Sequence, residues 1–482
     1  MTLKTPQEYL ESIKKQKHNL YLFGEKIDKW YDHPIIAPSL NPVMKTYELA
    51  QDPQYQELMT AISHLTGERI NRFTSVHRSN EDLIKKVKLQ RVLGQHTGCC
   101  FQRCVGMDGI NAVFSTSYEI DAKYGTKYHQ NFLSWLKRIQ SEDLTVDGAM
   151  TDPKGDRSKR PSEQADLDLY MRIVEEKKNG IVVRGAKIHQ TGFLNSHEVL
   201  VMPTMAMREM EKQYSVCFAI DTATKGITCI YGRQPCDTRK LEDCLCDRGN
   251  PNFCGQEVFV VFEDVFIPKE RIFMNGEYDF TSPLVERFAG YHRQSYGGCK
   301  VGVGDVLIGA TALIAEYNGV EKAPLIRDKL VEMIHLNETI YSCGIACSYE
   351  GHKTLAGNYE IDLLLANVCK QNVTRFPYEI SRLSEDITGG ILATLPSEKD
   401  LNNETVGPLL KKYLKTHEGI DAEDRFKLIR FLENMTMGTA AVSYKSESMH
   451  GAGSPQAQRI MIARQANLES KKALIKKILD IR

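Results

Sequence analysis

The pattern of apolar residues changes twice along the chain, and the order of these changes limits the folds that the chain can adopt. Residues 1–142 have helical spacing, residues 143–275 alternate as short strands, and residues 276–482 return to long helical patterns. Apolar side chains recur every three to four residues in an amphipathic helix and every second residue in a half-buried strand. The sequence therefore predicts an α+β fold with an N-terminal helical domain, a middle β domain and a C-terminal helical bundle.

Local signals predict where several elements begin and end. Thr5-Pro6-Gln7-Glu8 forms a capping box with Pro at the first helical position. A second helix is predicted to begin at Ser79 and to run through Cys100 and Cys104. A strand is predicted over 166–174, and the Asn179-Gly180 pair after it is typical of a type I′ hairpin. Further strands are predicted over 181–188, 197–202, 214–220, 226–231 and 256–262, and later helices over 282–318, 325–349, 357–390, 407–436 and 455–480.

The charge balance and the apolar runs exclude several classes of protein. Sixty-two Lys and Arg residues balance 62 Asp and Glu residues, so the net charge is zero, whereas nucleic-acid-binding domains are usually basic. The longest apolar runs, such as 306–315, are shorter than the roughly 18 residues that a membrane span needs, and the N-terminus has no apolar signal core. We expect a cytoplasmic protein with no nucleic-acid partner and no membrane partner.

The usual nucleotide-binding motifs are absent from the sequence. No G-x-G-x-x-G follows a predicted strand: Gly302-Val-Gly304 is followed by Asp-Val-Leu, and this segment has a helical pattern. No phosphate-binding loop motif is present either. A Rossmann-type dinucleotide fold is therefore disfavoured.

The chain has thirteen cysteines, an odd number that argues against a disulfide framework in a large chain without an export signal. Most are expected to be buried thiols, because free Cys packs as a small apolar side chain. On a continuous helix Cys100 and Cys104 would share one face. His292 and Cys299 are seven residues apart, or about 10 Å along a helix. Three Cys and one His suit either a closed zinc site or an iron–sulfur cluster.

Other thiols compete with this set. Cys343 and Cys347 have the same spacing as Cys100 and Cys104 and form an alternative pair of ligands. Cys99 is directly adjacent to Cys100 and could take its place. Spacing alone therefore leaves more than one choice of ligands open.

Several segments carry a resemblance to known flavoproteins. The segments 148–157, 262–268 and 385–390 are similar, in this order, to the flavin loop, the last strand of the β domain and the glycine pair of the acyl-CoA dehydrogenase-like fold. This resemblance implies that the middle domain is a β-barrel. Over nearly its full length the chain resembles the CoA-thioester dehydratases of the 4-hydroxyphenylacetate 3-hydroxylase family. The resemblance is densest at 98–108, 146–157, 289–305 and 447–464.

This resemblance implies an activity and two cofactors. The activity is radical dehydration of 4-hydroxybutyryl-CoA to crotonyl-CoA, a carbon–oxygen lyase reaction, together with isomerisation of vinylacetyl-CoA to crotonyl-CoA. The thioester acidifies hydrogen at C2 only, so a flavin that removes one electron from the enolate is needed to acidify C3. The implied cofactors are FAD and a [4Fe-4S] cluster. The resemblance places the cluster on Cys100, Cys104, His292 and Cys299.

The resemblance also implies roles for individual residues. His292 is expected to act as base at C2 when it leaves the cluster, or to remain a permanent ligand. Tyr296 and Lys300 are expected to aid departure of the hydroxyl or to hold charge, and Glu257 and Glu447 match functional positions. The residues expected to bind FAD from one chain are Met150, Thr151, Lys154, Arg157, Gln190 and Thr191.

The quaternary structure is also part of what the resemblance implies. Gly389 and Gly390 are expected to approach the FAD of a partner chain, because glycine lets the backbone come close to a ligand. A homotetramer built as a dimer of dimers follows. An anaerobic cytoplasm and a role in aminobutyrate or succinate fermentation follow by analogy only.

Two other functions compete with the dehydratase. The first is a flavin-dependent aromatic hydroxylase of the 4-hydroxyphenylacetate 3-hydroxylase type, which would need no Cys/His ligand set. The second is a non-catalytic helical protein stabilised by zinc, which would bind no flavin. The four predicted ligands and the segment from 289 to 300 favour the dehydratase.

Overall fold

The computed structural model describes residues 3–234 and 236–482. The helices in these residues are α1 (Pro6–Ile13), α2 (Leu40–Gln51), α3 (Gln56–Met59), α4 (Asn80–Thr97), α5 (Cys104–Tyr124), α6 (Tyr128–Ser141), α7 (Thr281–Tyr317), α8 (Pro324–Tyr349), α9 (Leu363–Val373), α10 (Phe376–Thr388), α11 (Ile391–Thr394), α12 (Glu398–Leu401), α13 (Gly407–Leu414), α14 (Ala422–Thr436), α15 (Thr439–Ala441), α16 (Glu447–His450), α17 (Pro455–Gln465) and α18 (Leu468–Leu479).

The strands are β1 (Asn19–Leu22), β2 (Glu25–Lys26), β3 (Thr60–Ile62), β4 (Arg69–Asn71), β5 (Val146–Ala149), β6 (Arg172–Lys177), β7 (Gly180–Thr191), β8 (Glu198–Val201), β9 (Val216–Asp221), β10 (Ile227–Tyr231), β11 (Glu257–Pro268), β12 (Ile272–Asn275), β13 (His352–Lys353) and β14 (Tyr359–Glu360).

The main β unit consists of two sheets that share one core. The six-stranded sheet has the order β2-β1-β10-β11-β7-β6, and the four-stranded sheet has the order β12-β9-β8-β5. Val183 and Val260 of the first sheet belong to the same buried cluster as Val199 and Phe218 of the second. The strands from β5 to β12 agree with the prediction of a strand-rich middle segment.

The prediction of a closed β-barrel was wrong. Within the described residues both sheets end on edge strands, and no closed barrel is formed. Strands of a barrel and of two packed sheets alternate in the same way, so alternation does not reveal whether the edges join. The N-terminal segment, which has helical spacing, also contributes β1 and β2 to the larger sheet, where β1 runs parallel to β10.

The predicted helix from Ser79 through Cys104 was also wrong in its second half. Ser79 caps α4 as expected, but α4 ends at Thr97, where Gly98 takes the left-handed conformation with φ 61°. Glycine adopts this conformation without a steric penalty, and it commonly ends helices. Cys100 therefore lies in a turn, whereas Cys104 is the first residue of α5.

Two predicted details of the first hairpin differ from the structure. Residues Leu167–Leu169 form a 3₁₀ turn, because the Asp166 side chain accepts a hydrogen bond from the N–H of Asp168, and the strand begins only at Arg172. The tight turn consists of Lys178 and Asn179. Neither has positive φ, so the hairpin is present but its turn is not of type I′.

The long helices at 282–318 and 325–349 are confirmed as α7 and α8 within one residue at each end. The other three predicted C-terminal helices are each divided. The first becomes α9 and α10, with Pro377 in the first turn of α10, where its missing N–H removes no helical hydrogen bond. The second becomes α13 and α14, and the third becomes α17 and α18.

Helix α7 is the centre of the helical part of the fold and packs against α4, α5, α8, α9 and α10. By length and composition the segment Tyr278–Tyr317 could cross a membrane, but 61% of its most apolar window is buried inside the fold. A core helix of a soluble protein has the same composition. We therefore interpret α7 as a core helix.

Candidate active site

Helix α7 presents four of the predicted site residues on consecutive turns: His292, Tyr296, Cys299 and Lys300. Glycines beside them allow the backbone of α4 to pack directly against the backbone of α7. A Cβ added to Gly298 would lie 2.3 Å from the carbonyl oxygen of Val87, so this position has no room for a side chain. The close packing of α4 and α7 fixes the depth at which the four side chains lie.

The three predicted cysteine ligands come from three separate elements and influence one another electrostatically. Cys100 lies in the turn after α4, Cys104 begins α5, and Cys299 lies on α7. Burial, then the neighbouring Cys100 and Cys299, raise the pKa of the Cys104 thiol above its ordinary value. Burial raises the pKa of Cys299 to about 11, although the Lys300 ammonium opposes this rise. The three thiols therefore lie near one another and near Lys300, with Cys104 buried and Cys100 and Cys299 partly buried.

His292 is the fourth predicted ligand and lies in a restrained position. Its ring stacks on Phe288 with an interplanar angle of 16° and meets the edge of Tyr296 at a centroid distance of 5.1 Å. Its Nδ1 is 2.8 Å from a carboxylate oxygen of Asp108. Among the described residues, no group of three His, Cys, Asp or Glu side chains is arranged to hold a single metal ion.

The two predicted acids meet although 190 positions separate them in the sequence. Glu257 begins β11 and accepts a 2.6 Å hydrogen bond from Thr191, whereas Glu447 begins α16 and accepts hydrogen bonds from Lys300 at 3.1 Å and Ser443 at 3.0 Å. Burial and the adjacent Glu447 raise the pKa of Glu257 well above its ordinary value. The Lys300 charge and hydrogen bonds outweigh the effect of burial and lower the pKa of Glu447. These opposite shifts favour the protonated form of Glu257 and the ionised form of Glu447.

The segment that carries Glu447, residues 442–453, is held by side chains whose importance sequence reasoning missed. The Lys370 ammonium donates to the carbonyl of Ser448, and the Arg293 guanidinium donates to the carbonyl of Ala452 at 3.0 and 3.1 Å. Lys370 is fully buried, and burial lowers its pKa well below the ordinary value. A lysine in a helical pattern normally suggests a solvated face, so no sequence signal distinguished this one.

Gly451 in the same segment makes room for a predicted site residue. A Cβ at this position would lie 1.7 Å from the hydroxyl oxygen of Tyr296. The Tyr296 hydroxyl donates to the carbonyl of Glu447 at 3.3 Å, and the ring lies under the Lys370 ammonium at 4.4 Å. Tyr296 thus connects α7 with the segment that carries Glu447.

The residues predicted to bind flavin lie in the loop after β5 and at the end of β7. The main-chain carbonyl of Thr151 accepts a 2.9 Å hydrogen bond from the N–H of Ile188, and this bond joins the two segments. Gln190 is buried, and its Oε1 has no hydrogen-bond partner among the described residues. Lys154 has a φ of 73°, and burial lowers its pKa. Arg157 is exposed in the same loop, and Met150 is partly buried.

A lysine that sequence reasoning missed holds this loop. Lys187 of β7 is fully buried and forms a 2.9 Å ion pair with Asp152. Its ammonium also donates to the carbonyl oxygens of Met150 and Met202, both at 2.8 Å. Lys187 therefore anchors the loop to β7 through the main chain of Met150 and the side chain of Asp152, and it also joins the loop to the residue after β8.

The predicted glycine pair is separate from these residues within one chain. Gly389 ends α10 with φ 85°, and neither Gly389 nor Gly390 has an atom within 4 Å of where a Cβ would be. The surroundings are open at both positions. Their predicted contact with a partner's flavin stays a prediction.

The sequence matches two regions of one protein family. The region described as "4-hydroxyphenylacetate 3-hydroxylase N terminal" matches residues 5–274, and the corresponding C-terminal region matches residues 281–480. The chain belongs to the 4-hydroxyphenylacetate 3-hydroxylase family. Its helix–sheet–helix order is therefore the order of this family's fold.

Individual members of the 4-hydroxyphenylacetate 3-hydroxylase family are similar to different degrees. The chain is 61% identical, over the full length of both proteins, to the 4-hydroxybutyryl-CoA dehydratase/vinylacetyl-CoA-Δ-isomerase of Clostridium aminobutyricum. A solved structure of an oxygen-tolerant archaeal 4-hydroxybutyryl-CoA dehydratase from N. maritimus is 54% identical, with a TM-score of 0.98 over 100% of this chain and 96% of the other. The oxygenase component of 4-hydroxyphenylacetate 3-monooxygenase, solved with FAD, shares the fold at 23% identity and a TM-score of 0.87, over 99% and 98% of the two chains.

The structure thus brings together two groups of predicted residues. The first consists of the thiols of Cys100, Cys104 and Cys299 with Lys300 and Tyr296, which influence one another's pKa. The second is the acid pair, which joins this group through Lys300 and joins the predicted flavin residues through Thr191. Cys343 is only partly buried and lies against Asn372, and Cys347 donates to the carbonyl of Gly344 within α8.

Proposed function

We propose that this chain dehydrates 4-hydroxybutyryl-CoA to crotonyl-CoA and isomerises vinylacetyl-CoA to crotonyl-CoA. The observation that carries the proposal is the full-length identity of 61% to a dehydratase/isomerase, in a chain whose thiols, imidazole, acid pair and buried lysine surround one stretch of α7. The domain division at 142/143 and 275/276 and a homotetrameric, dimer-of-dimers assembly in the cytoplasm are part of the proposal.

The donor groups fit the proposed cofactors. Three thiols and one imidazole have the chemistry of ligands to an iron–sulfur cluster. They are contributed by the buried Cys104, the partly buried Cys100 and Cys299, and His292. The unpartnered Oε1 of Gln190 is a buried acceptor that a flavin N–H would satisfy. We propose that FAD is held by Met150, Thr151, Lys154, Arg157, Gln190 and Thr191 of one chain and by Gly389 and Gly390 of its partner.

The reaction needs proton transfers at three carbons. Dehydration removes one hydrogen from C2, one from C3 and the hydroxyl from C4, and it returns one hydrogen to C4, so the net loss is one water. Isomerisation removes a hydrogen from C2 and returns one to C4. When bound, FAD would accept and return one electron, and the cluster would provide a Lewis acid.

The residues of the chain would move the protons. His292 has its Nδ1 engaged by Asp108, so Nε2 is the atom that would take the proton from C2. Glu447 is the ionised member of the acid pair and would be the second base, while Glu257 holds the proton that the pair can return. The Lys300 ammonium would stabilise the negative charge of Glu447. Together with the Tyr296 hydroxyl, it would also aid departure of the substrate hydroxyl.

The test is an anaerobic purification followed by quantitation of iron, sulfide and flavin and by an assay of crotonyl-CoA formation from both thioesters. We expect about four irons, four sulfides and one FAD per chain, and crotonyl-CoA from both substrates. Flavin without iron, with oxygen-dependent hydroxylation of a phenol, would instead identify an aromatic hydroxylase. Zinc without flavin would contradict both.

Matched variants make this test specific to the proposed ligands. Substitution of Cys100, Cys104 or Cys299 by Ser should lower the iron content, whereas Cys347→Ser should not, because Cys347 lies in α8 with its thiol bonded inside that helix. An equal iron loss from Cys347→Ser would contradict the proposed ligand set.

A further inference from the structure

A buried carboxylate connects three helices behind His292. Asp108 lies on α5 and has no exposed surface. Its carboxylate faces the Lys86 ammonium of α4 at 2.5 Å, and from α7 it faces His292 Nδ1 at 2.8 Å and accepts from the Ser295 hydroxyl at 3.0 Å. A carboxylate that receives this many donors is fixed in both position and orientation.

Lys86 balances the charge of this carboxylate. It too is fully buried, and its ammonium also donates to the carbonyl of Tyr291 at 2.8 Å and to Oε1 of Gln294 at 2.9 Å. All three ammonium protons therefore have acceptors. The pair is neutral as a whole, so Asp108 stays an acceptor without requiring a charged imidazole.

The contacts of the ring leave one nitrogen of His292 available. An ionised carboxylate only accepts hydrogen bonds, so the neutral tautomer that fits these contacts has its proton on Nδ1 and its lone pair on Nε2. Rotation of the ring is restricted by the stacked Phe288 and by the edge of Tyr296. Histidines that bind metals commonly donate their second N–H to a carboxylate in this way, which fixes the tautomer and raises the basicity of the ligand.

We propose that Asp108, held by Lys86, is the positioning residue that keeps Nε2 of His292 aimed at the reacting groups as an unprotonated ligand and base. This inference rests on the proposed function, because it concerns the same imidazole. It assigns a role to two residues outside the predicted site. Asp108 does not touch the substrate in this proposal and acts only through the imidazole.

The test compares Asp108→Asn with Ser295→Ala in the holoenzyme under anaerobic conditions. Ser295→Ala is the matched control, because it removes a donor to the same carboxylate from the same helix and leaves His292 Nδ1 paired. The measurements are the rate of iron release to a chelator and kcat and KM for vinylacetyl-CoA isomerisation, which needs a base at C2 but no departing hydroxyl.

We expect Asp108→Asn to lower kcat and to speed iron release, each by about 10- to 100-fold, with KM and flavin content within about threefold of wild type. A purely structural role would change flavin content and KM together. Ser295→Ala should change each quantity by less than about threefold. An Asp108→Asn enzyme with the iron-release rate and kcat of the wild type overturns the inference.

A double variant covers the case in which Asp108→Asn fails to fold because it leaves Lys86 buried and unpaired. Lys86→Met with Asp108→Asn removes both charges and leaves no unpaired ion in the interior. We expect this variant to fold and to keep the low kcat, and wild-type kcat in it also overturns the inference. A wild-type chain without iron and without activity would mean that the proposed function itself fails, which is a different outcome.

Discussion

Two buried lysine–aspartate pairs in this protein use the same chemistry for different purposes. Lys187 and Asp152 lie in the β unit at 2.9 Å, and Lys86 and Asp108 lie among the helices at 2.5 Å. All four side chains are at most 2% exposed. In each pair the ammonium finds two further acceptors, so neither lysine has an unsatisfied proton.

The two pairs differ in the further groups to which the lysine and the aspartate are hydrogen-bonded. Lys187 donates to the carbonyls of Met150 and Met202, and Asp152 accepts the N–H of Met171 at 3.2 Å. Those partners are main-chain groups of the predicted flavin loop and the strands beside it. The Asp108 carboxylate is instead hydrogen-bonded to two side chains, those of His292 and Ser295. We infer that the first pair maintains a backbone conformation and that the second maintains the orientation of one reactive ring.

Breaking the β-unit pair should have the largest effect. Lys187→Met leaves Asp152 buried without its partner, which typically costs about 3–5 kcal/mol, and it releases the carbonyl of Met150 in the predicted flavin loop. We expect the free energy of unfolding in urea to fall by that amount and bound flavin to be lost. Lys177→Met, at an exposed pair on β6, is the control and should change stability by less than about 0.5 kcal/mol. Full flavin retention by Lys187→Met would show that the pair does not hold the loop.

Breaking the Lys86–Asp108 pair should lower the free energy of unfolding and leave the flavin content unchanged. Lys86→Met removes the positive charge that faces Asp108, but His292 and Ser295 still donate hydrogen bonds to the carboxylate. We therefore expect the free energy of unfolding to fall by about 3 kcal/mol, the lower end of the range for a broken buried ion pair. The flavin-to-protein ratio after desalting should stay at the wild-type value. Loss of flavin equal to that of Lys187→Met would contradict the contrast between the two pairs.

A third buried acid sharpens the comparison because it has no lysine. Asp147 on β5 is buried, the backbone N–H of Gly148 faces it, and burial raises its pKa to about 7. Between about pH 4 and pH 7 the folded state keeps this proton and the unfolded state does not, so the contribution of Asp147 to stability falls as pH rises through this window. Asp147→Asn should therefore match the wild type near pH 4 and exceed its stability by up to about 4 kcal/mol at pH 8, because each pKa unit corresponds to about 1.4 kcal/mol.

The measurement for Asp147 is urea unfolding of both proteins at pH 4, 6 and 8. The sign of the difference at pH 8 decides the prediction. A wild-type protein that is more stable than Asp147→Asn at pH 8 would mean that the ionised carboxylate has a stabilising partner, as Asp152 and Asp108 do.

The smallest predicted effect comes from a neutral hydrogen bond to the same loop that Lys187 holds. The Tyr170 hydroxyl donates to the carbonyl of Lys154 at 3.2 Å. Tyr170→Phe should lower the free energy of unfolding by about 1 kcal/mol, and flavin should be retained with only slightly lower affinity in a titration of the flavin-free protein. A loss as large as that of Lys187→Met would mean that the loop depends on this bond rather than on the ion pair.

Sequence reasoning predicted some parts of the site well for identifiable reasons. Helix α7 was placed within one residue because its apolar pattern is long and continuous, and His292, Tyr296, Cys299 and Lys300 therefore fall on one helix as expected. The prediction that Cys100 and Cys104 share a helix was wrong because Gly98 ends α4 in the left-handed conformation. A residue pattern shows the average period of a segment, whereas a single glycine can interrupt it.

The residues that sequence reasoning missed are buried cations and their acids. Lys86, Asp108, Lys187 and Lys370 lie in helical or strand patterns where a charged side chain ordinarily marks the solvent face. Their burial becomes apparent only when the acceptor is known, and each acceptor lies on another element. For Lys370 it is the carbonyl of Ser448, 78 positions away.

The sequence by itself determined the order of the helical, strand-rich and helical segments, the family and the kinds of donor groups available, because these depend on local periodicity and residue chemistry. Only the tertiary structure decided that the strands form two sheets rather than a closed barrel, that Glu257 meets Glu447, and that Asp108 lies behind His292. Such pairings depend on contacts between residues more than 180 positions apart. A one-dimensional pattern contains no distance between such residues, and packing alone supplies it.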